Sequence, residues 1–356
     1  MGLPPFRPKW DIHGEGPSLE EVMPGIGEEI EADANVIAAL PQGLSFVKAT
    51  SFGISLWTRT AKITTMQDDG AERSLFMKVA TGEGGKVMLE GEFEGMSAIY
   101  KTHPSFAPEP IAWGEYKDTP ATYFFMCEFI DMDEGNLPDP ADFCSNLARL
   151  HRESVSPNGK FGFHVVTCNG TTPQKVDWED SWEVFFANGL RHMLKLDIGV
   201  NGEQPELVEA ITPVFDRVIP RLLRPLQEGP NPIKPALLHG DMWWGNSAVN
   251  LKTGNTIIFD ASAFYGHNEY EMGNWKPIRS RFNKSYFRTY AKYYPIAQPE
   301  EDYDDRVLLY SMRFDFQLCI LFPGSTSVKN TLIDNMRYLA TKYPDKPGPN
   351  PPSTHD

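Results

Sequence analysis

No hydrophobic run in this sequence approaches the roughly 20 residues that a helix needs to span a bilayer. Cysteine is scarce. The four present, Cys127, Cys144, Cys168 and Cys319, are scattered, with no C-x-x-C pair and no histidine at zinc-ligand spacing. That pattern excludes a disulfide scaffold and a zinc module, and it fits free thiols in a reducing compartment. Positive charge is in deficit: 33 Lys and Arg against 48 Asp and Glu give a net charge of -15. Neither a nucleic-acid backbone nor an anionic membrane is therefore the expected partner. The first residues lack an apolar core and turn acidic at Glu20-Glu21, which matches neither a secretory signal nor a transit peptide. The expected location is the cytoplasm. No internal repeat is present.

The length suits two cores better than one. Residues 1–30 are rich in Pro, Gly and Glu and read as an irregular arm, and residues 28–40 read as a short helix stopped by Pro41. Residues 45–50, 55–66 and 73–80 are rich in Val, Ile, Phe, Trp and Thr, with Gln67-Asp68-Asp69-Gly70 as a hairpin turn between the last two. Residues 86–101 switch to helical period, with Leu89, Phe93, Met96 and Tyr100 on one stripe. Residues 122–130 form a buried-strand run, and the polar segment 131–140 reads as a hinge. Helical patterns follow at 141–152, 182–195, 206–223, 280–294 and 304–322, interrupted by a β island at 237–239, 247–250 and 256–260. The expected class is α+β in two lobes: a small β-rich N-lobe with one key helix at 31–130 and a larger helical C-lobe at 131–343. The Pro-rich residues 344–356 are expected to be a disordered tail.

The chemistry concentrates in Leu238-His239-Gly240-Asp241-Met242-Trp243-Trp244-Gly245-Asn246, followed by Ile257-Ile258-Phe259-Asp260. Asp241 and Asn246 stand at D-x-x-x-x-N spacing, with a strand-terminal Asp downstream, the catalytic-loop and metal-loop layout of kinases. A hydroxyl is a poor nucleophile, and a carboxylate within bonding distance accepts its proton as the new P–O bond forms, which makes Asp241 the candidate base. Magnesium prefers oxygen ligands. The carbonyl of Asn246 and the carboxylate of Asp260, with ATP oxygens and waters, meet its octahedral demand.

The same chemistry needs a strand lysine on the nucleotide phosphates and a helix glutamate to hold it. Lys78, in Ser74-Leu75-Phe76-Met77-Lys78-Val79-Ala80, is the candidate lysine. On the wheel of residues 86–101, Glu92 lies at the edge of the apolar stripe, whereas Glu90 and Glu94 lie further round. Glu92 is thus the expected partner of Lys78. The strand around Met126 and Glu128 lies where backbone groups would meet adenine. Ser51, Gly53 and Ser55 mark the phosphate-covering loop, which has one glycine instead of the three of G-x-G-x-x-G.

These residues resemble the fructosamine/ketosamine 3-kinases, including protein-ribulosamine 3-kinases, within the aminoglycoside-phosphotransferase-like superfamily. The likeness rests on the segments 237–246 and 259–267, the latter ending Phe264-Tyr265-Gly266-His267, on Lys160-Phe161-Gly162-Phe163-His164, and on Phe76-Met77-Lys78-Val79. It implies a protein-kinase-like fold and ATP- and Mg2+-dependent phosphorylation of the sugar 3-hydroxyl of a ketosamine, free or on a glycated protein lysine. It further implies Asp241 as base, Asn246 and Asp260 as metal ligands, and Lys78 with Glu92 ordering ATP. Trp243 would be a platform for the sugar ring. Tyr265 and His267 would either line the substrate pocket or brace the metal loop through hydrogen bonds.

The chain departs from the family at three places. Leu56-Trp57 replaces a Glu-Gly pair in the phosphate-covering loop, Asp260-Ala261-Ser262 replaces Asp-Pro-Ala, and Glu271-Met272-Gly273-Asn274-Trp275-Lys276 replaces an aliphatic run. Two further readings stay open on these grounds: a kinase for another hydroxylated amine or metabolite, and a nucleotide-binding scaffold without turnover.

Overall fold

The computed structural model describes residues 25–53, 55–277 and 280–344, so residues 1–24 of the arm and the tail beyond Pro344 lie outside it. The N-lobe is a six-stranded antiparallel sheet in the order β1-β2-β3-β4-β6-β5. Its strands are β1 (Glu29–Ile30), β2 (Leu44–Ser51), β3 (Arg59–Gln67), β4 (Glu72–Thr81), β5 (Pro110–Glu115) and β6 (Thr122–Glu128). Alternation of side chains decides the two faces. Leu75, Met77 and Val79 of β4 pack with Ala61, Ile63, Phe124 and Met126 into one core, closed by Val36 of the short helix α1 (Ala34–Ala38). Phe76, Lys78 and Ala80 point to the opposite face, where helix α2 (Gly82–Thr102) lies.

Residues 28–40 do not form the single helix expected. Glu29 and Ile30 pair with Thr50 and Ala49 as an edge strand. The helix begins only after Asp33, whose carboxylate accepts from the N–H of Asn35 (2.8 Å), Lys117 (2.9 Å) and Asp118 (3.0 Å). An N-cap that also holds a second loop fixes the start of the helix more firmly than composition does. The strand expected at 55–66 likewise starts late, at Arg59. The Ser55 hydroxyl accepts from Trp57 N–H and Thr58 N–H, both 3.2 Å, and this local turn keeps residues 55–58 off the sheet.

Helix α2 reaches the C-lobe along a seam of small residues. A Cβ on Gly91 would fall 2.4 Å from the carbonyl oxygen of Val166, and one on Gly95 would fall 3.0 Å from Cβ of Ala263. Glycine at i and i+4 lets the helix backbone approach this closely, which sets the depth at which Glu92, between them in sequence, faces the cleft.

The C-lobe contains α3 (Pro140–Glu153), α4 (Trp182–Asn201), α5 (Pro205–Pro213), α6 (Ile219–Leu223), α7 (Pro225–Glu228), α8 (Tyr270–Gly273), α9 (Lys284–Tyr293), α10 (Tyr303–Leu321) and α11 (Thr326–Lys342). The helix expected over 206–223 is interrupted by Pro213 and a π turn at Val214–Val218. Helix α11 is an addition to the sequence expectation; it buries only Leu332, Ile333, Met336 and Leu339. Short strands complete the lobe. The hinge strand β7 (Met132–Asp133) joins the hairpin of β11 (Ser247–Asn250) and β12 (Thr256–Ile258). Strand β8 (Cys168–Asn169) pairs with β9 (Thr172–Pro173), and β10 (Ala236–Leu238) pairs with β13 (Phe264–Gly266). Among the described residues no helix is long and apolar enough to cross a membrane.

Candidate active site

Strand β10 delivers the chain into the loop from His239 to Asn246, and β12 delivers it into Phe259-Asp260. The two loops are bonded to each other. Ser262 N–H donates to His239 O (2.9 Å) and Phe259 N–H to Asn246 O (3.2 Å). Gly240 adopts φ +80°, and a Cβ there would meet Ser262 O at 2.1 Å, so both its backbone angle and its surroundings require glycine. Gly245 is needed for a different reason: the Trp243 indole lies on it, with a Cβ clash of 2.4 Å.

His239 is fully buried and serves the loop, not a ligand. Its Nε2 lies 2.8 Å from Phe259 O, while Nδ1 receives the Asp241 N–H at 3.3 Å. That pairing selects the neutral Nε2–H tautomer, and burial lowers the pKa of the ring in the same direction. In the sequence Glu271 shows only as part of the polar stretch 271–276. It is fully buried, and its Oε1 accepts from the N–H of His239 (2.5 Å) and of Gly240 (3.2 Å). It clamps the backbone just before Asp241.

Asp241 receives Asn274 Nδ2 on Oδ1 at 3.0 Å. Burial pushes its carboxyl up to about 7, against the opposing positive charge of Arg313 and the amides of Asn169 and Asn274. Asn246 donates Nδ2 to Asp241 O at 2.9 Å, which fixes its amide with Oδ1 as the atom left for a cation. Asp260 stands in the left-handed region at φ +61°, rare for a non-glycine residue and a mark of a backbone held by its surroundings.

Lys78 lies between two carboxylates: Nζ is 2.7 Å from Glu92 Oε1 and 2.6 Å from Asp260 Oδ1. Burial alone would lower its pKa, but these two partners outweigh it and keep the ammonium charged. Glu92 is raised, because burial and the neighbouring Asp260 charge exceed the attraction of Lys78. The expected choice among the helix glutamates thus matches the geometry; Glu94 instead meets His164 at 2.9 Å.

Other expected residues sit differently. Met126 is fully buried in β6 and pairs with Met77 on one side and Ala112 on the other, while Glu128 N–H donates to Glu109 O. Their backbones serve the sheet, and the N–H of Phe129 is also bonded to it, on Ser74 O at 3.3 Å. Ser51 is buried at the end of β2, with its N–H on Glu28 O at 2.9 Å. Gly53 turns the loop at φ +78°, and the exposed Ser55 caps that loop, its hydroxyl oxygen accepting from the N–H of Trp57 and Thr58. His267 cannot line a substrate pocket: it is fully buried, with Nδ1 2.9 Å from the Tyr310 hydroxyl. Tyr265 pairs with Leu237 in β13 and its ring stacks on Trp178 at 6.1 Å. Trp243 is 37% exposed and packs edge-on against Trp244.

An aromatic group that no sequence motif marks lies at the cleft mouth. Phe52 lies 6.5 Å from Phe76 and 5.2 Å from Phe129, and Lys62 Nζ sits 4.1 Å over the Phe129 ring. Strand period was the available signal, since Phe76 is two residues from Lys78 and shares its face.

The fructosamine kinase family model matches residues 58–338. A chloroplastic protein-ribulosamine 3-kinase of Arabidopsis thaliana is 33% identical over 234 residues, covering 64% of this chain and 65% of that relative's length. Ketosamine-3-kinase of Mus musculus is 30% identical over 262 residues, covering 67% and 79%. A solved structure described as a putative fructosamine-3-kinase of Thermobifida fusca superposes with a TM-score of 0.67 at 19% identity, covering 86% of this chain and 98% of that one. A thermostable mutant of aminoglycoside phosphotransferase APH(4)-Ia superposes with a TM-score of 0.54 at 14% identity, covering 84% and 95%. The fold, with its β-sheet N-lobe and helical C-lobe, is therefore the kinase-like one of these neighbours, and the chain belongs to the fructosamine kinase family.

Proposed function

We propose that the protein is an ATP-dependent kinase that phosphorylates the 3-hydroxyl of a ketosamine, a ribulosamine or fructosamine that is free or carried on a protein lysine. The observation that carries this reading is the meeting of Lys78, Glu92 and Asp260 in one cleft, bonded through the Phe259–Asn246 contact to the loop of Asp241. Kinship with enzymes named for ribulosamines and ketosamines supports the acceptor. The four cysteines are free thiols, which supports a reducing compartment such as the cytoplasm.

In this assignment Lys78 has spent two of its three donors on Glu92 and Asp260, and the third would reach a nucleotide phosphate. Phe52, Phe76 and Phe129 would offer flat apolar surface to the base. The donor set fits magnesium: Asn246 Oδ1 and the half-exposed Asp260 carboxylate are two oxygens, and a magnesium site keeps waters and phosphates for the rest. Bound magnesium would neutralise charge on the transferring phosphate. Asp241 takes the proton of the acceptor hydroxyl. The acceptor oxygen then bonds to the γ-phosphorus, the bond from that phosphorus to the β–γ bridging oxygen breaks, and ADP leaves with its electron pair.

The test is ADP release by the purified protein with ATP, magnesium and a panel of ribulosamine, fructosamine and aminoglycoside acceptors. Turnover on the ketosamines, abolished by Asp241→Asn, is the expected result. Turnover only on another class of amine would reassign the substrate. ATP binding without ADP release on any acceptor would leave a scaffold.

A further inference from the structure

Helix α10 carries one charged side chain into the back of the site. Arg313 is only 5% exposed, and among the described residues no carboxylate stands in ion-pair range of it. Its charge acts on Asp241 from beyond ion-pair distance, and a buried guanidinium with no carboxylate in direct contact is costly, a cost that a methionine of similar bulk would avoid. Its contacts explain what the charge does there. Nη2 donates to Asn169 Oδ1 (2.8 Å) and to Gln174 Oε1 (3.0 Å), and Nη1 has no partner. Both amides are thereby fixed with their NH2 groups turned away from the arginine, and both NH2 groups land on the catalytic machinery. Asn169 Nδ2 donates to Gly240 O at 3.3 Å, the carbonyl just before Asp241, and to Ser262 Oγ at 2.9 Å. Gln174 Nε2 donates to Ser262 O at 2.8 Å, two residues after Asp260, and to Thr167 Oγ1 at 3.0 Å. One guanidinium therefore governs contacts to both loops.

We infer that Arg313 is a positioning residue that acts through Asn169 and Gln174 to hold the loop of Asp241 at a fixed spacing from the loop of Asp260. This rests on the kinase assignment of those two aspartates. Outer partners of this kind orient reacting groups without touching substrate, and their loss costs on the order of 10–100-fold.

The experiment measures kcat and KM for wild type, Arg313→Met, Asn169→Ala and the double variant, by ADP release with a ketosamine acceptor and by basal ATP hydrolysis without one. Each single variant is expected to lower kcat about 10–100-fold with KM for ATP within about twofold, and the double variant to be no worse than Arg313→Met. Multiplying losses in the double variant, or an unchanged kcat in either single one, would overturn the inference. Circular dichroism checks folding. Should Arg313→Met fail to fold, Asn169→Ala leaves the arginine in place and decides alone: unchanged kcat sinks the relay. Inactivity on ketosamines with intact ATP hydrolysis would fail the acceptor assignment only, and the variants are then compared on hydrolysis. A wild type that releases no ADP under any condition overturns both.

Discussion

A Cβ on Gly245 would fall 2.4 Å from Cη2 of Trp243, so alanine at this position has to displace the indole. If Trp243 is the platform for the acceptor, Gly245→Ala raises KM for the acceptor about tenfold, a cost of roughly 1.4 kcal/mol, and leaves KM for ATP near wild type. Steady-state kinetics with each substrate varied decides this, and an unchanged acceptor KM removes Trp243 from the site. His267 makes the opposite case. Burial depresses its pKa well below the usual value, so the folded protein holds it neutral while the unfolded chain takes up a proton below about pH 6.5. Its contribution to stability is therefore complete above that pH and declines as pH falls. His267→Phe, which loses the Tyr310 bond, melts below wild type at pH 8, and the gap narrows toward pH 5.5. A gap independent of pH contradicts a neutral buried ring. At this scale Asp241, Asn246, Asp260, Lys78 and Glu92 were legible because their chemistry imposes spacing along one strand, loop or helix face. Glu271, Asn274, Asn169 and Arg313 were not. They come from three separate segments, and nothing local in Arg313-Phe314-Asp315-Phe316 distinguishes a buried relay from a mixed helix surface.

Helix α2 depends on its glycine seam. Gly91→Ala would press a methyl against Val166 O at 2.4 Å and Thr167 Cα at 2.9 Å, and backbone on both sides leaves the helix to move. The expected cost is about 1–3 kcal/mol of stability together with a higher KM for ATP, since a shifted α2 carries Glu92 away from Lys78. Chemical denaturation and ATP titration measure the two effects; a variant with unchanged values for both would show that the seam does not set the Glu92 position. Asp33 ties the start of α1 to the loop at residues 117–118, and Asp33→Ala is expected to lose about 1–2 kcal/mol, read as a lower denaturation midpoint. The long elements were legible in the sequence: α2 carries a sustained helical stripe, β6 is a nearly continuous apolar run, and the composition of β3 and β4 is that of strands. The short strands β1, β8, β9 and β13 were not, because two or three residues carry no period and their pairing is set by distant partners. Helix α11 hid for a related reason, with a narrow apolar stripe in an otherwise polar segment.

Across the whole molecule the two lobes meet at the Lys78–Asp260 ion pair, at the α2 seam and at Trp57. The Trp57 ring, from the phosphate-covering loop, packs 6.5 Å from Phe322 and would lie 3.1 Å from a Cβ on Gly170, both in the C-lobe. The departure Leu56-Trp57 thus adds a contact between lobes while Leu56 stays exposed. Trp57→Ala is expected to speed hydrogen exchange of the amides around residues 51–60 without altering exchange in α10; uniform exchange across both variants would show that the ring does not restrain the loop. Two lobes and their order were legible from the switch of period near residue 131, but their contacts were not, because each joins residues far apart in the chain.

The most direct measurement is a crystal structure with a non-hydrolysable ATP analogue, magnesium and a ketosamine bound. It should place the sugar 3-hydroxyl within about 3 Å of an Asp241 oxygen, with the cation between Asn246 and Asp260. A different hydroxyl at Asp241, or a sugar bound away from that loop, would contradict the assignment.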